Sequence, residues 1–212
     1  MAKQILTSIR ITLVLLLIVS GVYPLVVWGL SQVAFAHQAN GSLVQDAQGH
    51  TVGSALLAQG FTKPDYFHPR PSAAGSGYDA TASSGTNLGP TSDKLINGIH
   101  KKTSDGKDDP SNFDGVKNLA AAYRADNNLA ANAAVPVDAV TRSASGLDPH
   151  ISVANANLQA ARVAKARGVS AEDVTRLVAA NTQGRDLGFL GEPRVNVLQL
   201  NLALDKQLPK GK

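Results

Sequence analysis

The residues able to do chemistry are few and scattered. Histidine stands at positions 37, 50, 68, 100 and 150. None of these forms a His-Glu-x-x-His or His-x-His pair that would offer two ligands to one metal from a single face, so no metal site is expected. The chain contains no cysteine, which excludes a disulfide framework, thiolate-bound zinc, an iron–sulfur cluster and a thiol nucleophile. Ser145, Asp148 and His150 fall close together. A Ser/His/Asp relay normally draws its members from distant segments, and no Gly-x-Ser-x-Gly elbow is present. Asp148 is better suited to cap a following helix, with Pro149 in its first turn. Gly75-Ser76-Gly77-Tyr78-Asp79-Ala80 has dinucleotide-loop spacing. Such a loop needs a strand before it and a helix opening at it, and the preceding His68-Pro69-Arg70-Pro71 run cannot supply a central strand. Gly106-Lys107 lacks the upstream glycine of a phosphate loop, and Glu192 before Pro193 is a lone carboxylate. No catalytic, cofactor-binding or metal-binding residue is assigned.

The elements that would position any site begin with a membrane segment. Ile11 to Leu30 reads ITLVLLLIVSGVYPLVVWGL, without a charge. Extended to residue 35, the stretch is long enough to cross a hydrocarbon core of about 30 Å with some tilt. Pro24 is placed to kink it, with Ser20 and Gly21 softening the kink. Ala34-Phe35-Ala36 has the form of a signal-peptide cleavage site, but the apolar run exceeds the roughly 7–15 residues of a signal core. The reading favoured is an uncleaved anchor over residues 11–35. Lys3 and Arg10 are the only charges before Asp46, so residues 1–10 are expected on the cytoplasmic side and 36–212 outside. In a bacterium that means the inner membrane and the periplasm.

Those two cations also explain the charge balance. The net charge is +4, with 20 basic and 16 acidic residues. Beyond residue 45 the excess is only +2, and Lys101, Lys102 and Lys107 are diluted by Asp105, Asp108 and Asp109. No basic patch interleaves with aromatics, so nucleic acid is not an expected partner.

The rest reads as a small α+β domain with more helix than strand. Residues 42–60 hold two short strands around a turn at Asp46-Ala47-Gln48-Gly49. Residues 61–91 are rich in Ser, Gly, Ala and Pro, yet Tyr66-Phe67-His68-Pro69-Arg70-Pro71-Ser72 is too aromatic for a solvating linker. Ser92 is expected to cap a helix from Asp93 to about Lys102, and a second helix spans Val116–Arg124. A third runs over Val153–Arg167, opened by Asp148 or Ser152 and stopped by Gly168. A fourth opens at Ser170 and ends near Gly184. Residues 195–204 fit strand alternation and a helix face equally.

Several segments in order resemble one family. They are Gly53-Ser54 with Gln59 and Phe61, then Tyr66-Phe67-x-Pro69-Arg70-Pro71-Ser72, and Ser83-Ser84-Gly85-x-Asn87-Leu88-Gly89 with Thr91. Val140-Thr141-x-Ser143-Ala144-Ser145-Gly146-Leu147-Asp148-Pro149-His150-Ile151-Ser152 follows, with Gln159, Arg162, Val163, Ala164 and Arg167 on the next helix. Phe189-Leu190-Gly191-Glu192-Pro193-Arg194-Val195-Asn196-Val197-Leu198, with Asn201 and Leu202, completes the set. Together they resemble the C subunit of the bacterial potassium-transporting P-type ATPase, the Kdp complex. The one departure, Leu57-Ala58 where the family often has Ile-Gly, touches no assigned role.

The resemblance implies an accessory, non-catalytic subunit. Its partners would be a potassium-binding channel-like subunit, a P-type ATPase subunit that hydrolyses ATP and a small membrane peptide, besides the lipid bilayer. ATP and potassium would be handled by those partners, with no cofactor bound here. The phosphorylation motif Asp-Lys-Thr-Gly-Thr is absent from this sequence. A catalytic-chaperone role, raising the ATPase subunit's affinity for nucleotide, is the family proposal. From outside the membrane such an effect requires a coupled conformational equilibrium. Candidate partner contacts are Ser20, Gly21 and Gly29 in the membrane helix, where small residues permit close approach, and Tyr66, Phe67 and Arg70 in the domain. The competing role for the last three is to staple the glycine-rich loop to its own domain. Rival readings are an anchored or secreted periplasmic hydrolase and a binding module.

Overall fold

A computed structural model describes residues 1–46 and 48–209; Ala47, in the expected turn, lies outside them. The chain divides into two compact units, Met1–Ser54 and Ala55–Lys212.

The first unit is dominated by one apolar helix over Ala2–Ala34, long and apolar enough to cross a membrane. It reaches back to Ala2, so residues 2–10 are helical as well. Within it α1 (Ala2–Leu17) and α2 (Tyr23–Ala34) flank a wider π-type turn at Ile18–Val22. Pro24 accounts for that turn. A proline inside an α-helix removes one N–H and drives its ring against the carbonyl four residues back. Widening the turn relieves both, and the Tyr23 N–H reaches the Ile18 carbonyl five residues back. Phe35 breaks the helix at φ −140° and ψ 42° before the short α3 (Ala36–Ala39). The two expected strands follow as an antiparallel pair, β1 (Leu43–Gln45) and β2 (Thr51–Ser54). The Ser42 N–H donates to His37 O at 3.0 Å and Ser54 Oγ to Gly41 O at 2.7 Å. The hairpin is thus tied to the segment before it, within the first compact unit.

The second unit is the mixed helix-and-sheet domain. Its helices are α4 (Asp93–Asn97), α5 (Val116–Asp126), α6 (Val137–Val140), α7 (Val153–Arg167), α8 (Ala171–Ala180) and α9 (Val197–Gln207). Three short strands, β3 (His150–Ser152), β4 (Thr182–Gln183) and β5 (Arg194–Asn196), form an antiparallel sheet in the order β3-β5-β4. Ile151 faces Val195 across the central pair, and both are buried.

Sequence punctuation sets several of these ends. Ser152 Oγ accepts from the Asn155 N–H at 3.1 Å and Ser170 Oγ from the Asp173 N–H at 3.0 Å, each satisfying an N–H orphaned at a helix start. Gly168 closes α7 in the left-handed region at φ 70°. Three expectations are corrected. Ser152, not Asp148, caps α7, because β3 intervenes. Helix α4 stops at Asn97 and not near Lys102: Gly98 turns at φ 81° and Ile99 pairs in antiparallel bridging with Phe113. Helix α8 ends at Ala180, since residues 182–183 leave to join β5. The ambiguous tail resolves into both forms, β5 followed by α9, with Asn196 Oδ1 accepting from the Gln199 N–H as cap.

The core gathers one face from each of α7, α8 and α9. Helix α7 offers the small residues Ala156, Ala160, Val163 and Ala164, which let α8 come close with Val174, Leu177 and Val178. Leu200 and Leu204 of α9 close the cluster, and Phe67 from the loop enters it with no exposed surface.

Candidate functional site: a strap clamped by amides and arginines

The aromatic, proline-rich run of residues 64–72 makes no strand ladder, so its backbone polar groups need partners from elsewhere. Side chains of α7 and α9 supply them. Asn201 Oδ1 accepts from the Phe67 N–H at 2.9 Å, and Asn201 Nδ2 donates to Phe67 O at 3.0 Å. Gln159 repeats the pattern one residue on: its Oε1 accepts from the His68 N–H at 2.7 Å and its Nε2 donates to His68 O at 3.1 Å. Each amide imitates the neighbouring strand that this segment lacks.

Two buried guanidiniums hold the start of the strap. Arg162 Nη1 donates to Pro64 O at 2.6 Å and Tyr66 O at 3.0 Å, Nη2 to Gln159 Oε1 at 2.7 Å, and Nε to Asn127 Oδ1 at 3.1 Å. Arg167 Nε donates to Asp65 O at 2.8 Å and Nη2 to Asp205 Oδ1 at 2.7 Å, beneath the Tyr66 ring at 4.9 Å. The Tyr66 hydroxyl donates to the other oxygen of Asp205 at 2.9 Å.

The far end is fixed to the segment around Gly146. Arg70 Nη1 meets Asp148 Oδ2 at 2.8 Å, and its other nitrogens reach Thr141 O. Ser72 Oγ donates to Gly146 O at 2.6 Å and accepts from the Ala74 and Tyr78 N–H groups. Gly146 is required here: at φ 69° a Cβ would lie 2.6 Å from Ser84 O and 2.8 Å from Ala74 N.

The electrostatics follow from this packing. Burial alone would raise the Asp148 pKa. Hydrogen bonds from the His150 side chain and backbone, and then from Arg70, outweigh that and hold it at about 2. Burial lowers the His68 pKa, and the neighbouring Arg162 charge lowers it further. Burial pushes the Tyr78 hydroxyl up to about 12, where it remains a donor, to Arg70 O at 2.8 Å. Between the strap and α5 lies a cavity of about 240 Å³, lined among others by Phe61, His68, Tyr78, Tyr123 and Asp126.

The clustered Ser145, Asp148 and His150 do not assemble a nucleophile. Ser145 Oγ accepts from the Leu147 N–H at 3.1 Å, while Asp148 pairs with His150 and Arg70. The glycine-rich Gly75–Ala80 run forms a turn in which Asp79 caps the 3₁₀ turn Ala80–Ala82. Among the described residues no three His, Asp or Glu side chains gather as a metal site.

The six candidate contact residues separate. Ser20, Gly21 and Gly29 lie on the apolar helix, where a Cβ at Gly29 would meet nothing within 4 Å and one at Gly21 only Leu17 Cδ1 at 3.8 Å. Tyr66, Phe67 and Arg70 lie together in the strap. Phe67 is fully buried, so the expectation of a partner contact gives way to a packing role for that ring. Tyr66 and Arg70 are half-buried. Sequence reasoning gave no role to Asn155, Gln159, Arg162 and Arg167. The available signal was that these polar side chains share a helix face with Ala156, Ala160 and Val163, where a solvated face should not be.

Comparisons with known proteins agree with one another. The family model for the K+-transporting ATPase, c chain, named KdpC, matches residues 5–206. The potassium-transporting ATPase KdpC subunit of Mycobacterium tuberculosis is 51% identical over 206 residues, covering 97% of this chain and all of that one. The protein of the same name from Koribacter versatilis is 48% identical over 209 residues, covering 99% and 97%. That from Caulobacter vibrioides is 55% identical over 187 residues, covering 88% and 85%.

Proposed function

Because the chain belongs to the KdpC family of K+-transporting ATPase c chains, we propose that it is the accessory, non-catalytic subunit of an ATP-driven potassium uptake complex. The observation that carries this reading is a family match over residues 5–206 that takes in most of the apolar helix Ala2–Ala34. In this reading the helix spans the inner membrane with Lys3 and Arg10 at the cytoplasmic end. Residues 36–212 are then periplasmic. ATP and potassium belong to the partners: a channel-like potassium-binding subunit, a P-type catalytic subunit and a small membrane peptide.

The helix supports association with those partners. Glycine inside a helix costs roughly 1 kcal/mol relative to alanine, and at Gly29 no atom of this chain requires it. A neighbouring helix approaching at Gly29 supplies the missing reason. The external domain, braced by the strap, stabilises the assembled complex and biases the ATPase subunit's nucleotide affinity through a coupled conformational equilibrium.

The test is a chain truncated after residue 36, expressed with the other subunits in cells lacking the full-length form. Potassium uptake at limiting external potassium should fall sharply, and the complex should be recovered in low yield. Normal uptake by the truncated form would remove the external domain from the function.

A further inference from the structure

The loop between β4 and β5 carries an apolar knuckle that its own domain does not use. Every residue from 183 to 193 is exposed. Leu187 is 83% exposed, Phe189 68% and Leu190 49%. The loop is nonetheless built. Asp186 and Leu190 exchange both backbone hydrogen bonds at 2.9 Å. Arg185 Nη2 contacts both oxygens of Glu192 at 2.9 and 2.8 Å, and Arg194 reaches Asp186 at 3.2 Å.

Leu187 is unfavourable twice over in the isolated domain. Its φ of 54° is in the left-handed region, where asparagine or glycine would sit with less strain. Its side chain, moreover, stands in water. Backbone strain of this kind persists where function uses it, and an apolar side chain held out by a rigid turn is pre-organised for a pocket. The charges say which kind of pocket. Arg185 pairs with Glu192 and Arg194 with Asp186, so the knuckle presents no net charge. An anionic lipid surface is recognised by unpaired Lys and Arg, and none is offered. A neutral, apolar socket in a protein matches the knuckle, with Phe189 as the aromatic anchor.

We propose that residues 185–194 are a docking knuckle that seats Leu187 and Phe189 in an apolar socket on another subunit of the K+-transporting ATPase. This rests on the functional reading above and names the surface that would serve it.

Two measurements on the full chain in its complex test the proposal. With Phe189 replaced by the photocrosslinker p-benzoylphenylalanine, irradiation should yield an adduct whose second component is another ATPase subunit by mass spectrometry. An adduct only with lipid or with a second copy of this chain, or none at all, overturns the proposal. The double variant Leu187→Asn, Phe189→Ser should lower the yield of intact complex by roughly tenfold, the loss expected of a hot-spot anchor. The purified chain should meanwhile melt no lower than the parent. If the double variant melts lower, Leu187→Asn alone is compared, since it relieves the left-handed leucine. Unchanged complex yield in the well-folded variant overturns the proposal. It leaves the functional reading standing so long as truncation after residue 36 sharply lowers uptake; normal uptake after truncation removes the external domain from the function instead.

Discussion

Replacing Arg162 with methionine keeps an unbranched apolar stem and removes every donor that the guanidinium sends to the strap. Four acceptors are affected: Pro64 O, Tyr66 O, Asn127 Oδ1 and Gln159 Oε1. They do not count equally. Pro64 is exposed, so water replaces the lost donor there. Gln159 Oε1 retains the His68 N–H. Tyr66 O and Asn127 Oδ1, in half-buried and buried surroundings, are the groups left wanting. At about 1–3 kcal/mol for the buried Asn127 Oδ1 and about 1 kcal/mol for the half-buried Tyr66 O, the expected loss is about 2–4 kcal/mol. For a chain of this size that corresponds to roughly 4–16 °C in Tm. Arg176→Met is the control, because Arg176 pairs with Glu172 and Asp173 at an exposed site; its cost should stay within about 0.5 kcal/mol. Arg162→Lys should resemble the methionine variant more than the parent, since one ammonium cannot span acceptors held by three nitrogens. Denaturant unfolding of the full chain in detergent gives the free energies, and hydrogen exchange at the Phe67 and His68 amides reports the strap itself. If Arg162→Met and Arg176→Met agree within about 0.5 kcal/mol, the clamp does not hold the domain together and the accounting from orphaned acceptors is wrong.

Two further outcomes follow from the same end-to-end fixation of the strap. Gly146 and Gly168 share a φ near 70° but not their surroundings: a Cβ at Gly146 strikes backbone at 2.6 Å, while one at Gly168 meets nothing within 4 Å. Alanine at 168 should cost about 1–2 kcal/mol from conformation alone, alanine at 146 distinctly more, and equal Tm shifts would show that the close approach to Ser84 is not a constraint. Asp148 has its pKa depressed to about 2, so its ionised form contributes stability that is complete above the unfolded value near 3.9 and is lost as pH falls from about 4 towards 2. Allowing for partial solvent screening, about 1–2 kcal/mol should disappear over that window. Asp148→Asn should flatten this part of the stability profile, and an unchanged acid limb would contradict the assignment.

The helices that punctuate themselves were legible in the sequence. Ser152 with Gly168 framed α7, and Ser170 opened α8, because capping chemistry is local. The short apolar strands around residue 46 were legible for the same reason. The sheet β3-β5-β4 was not. Its strands hold two or three residues each, too few for alternation to register, and β3 pairs with a segment more than forty residues later. Helix α4 was drawn too long because the Ile99–Phe113 bridge that ends it is a tertiary contact. The strap was half legible. Its aromatics argued against a linker, but a reader of Asn155, Gln159, Arg162 and Arg167 sees residue types that normally face water. The burial of Gln159, Arg162 and Arg167 makes sense only once the carbonyls they serve are known, and those carbonyls belong to a loop about a hundred residues upstream.

That separation has a consequence for how the molecule is made. The N-terminal helix needs only neighbours in sequence and can form as soon as it is synthesised. The strap emerges early yet has nothing to bind until much later, since Phe67 waits for Asn201, 134 residues downstream. At about 5–20 residues per second, translation leaves that gap of 134 residues open for roughly 7–27 seconds. During this interval Phe67 and its glycine- and proline-rich flanks are an unprotected, protease-accessible segment. Helix α9 then acts as a latch that arrives late and closes an early-made part of the domain. A nonsense codon or ribosomal stall just before residue 201 would therefore cost far more than helix α9 itself: it would leave the beginning of the domain unfastened, with quality-control proteolysis the expected fate.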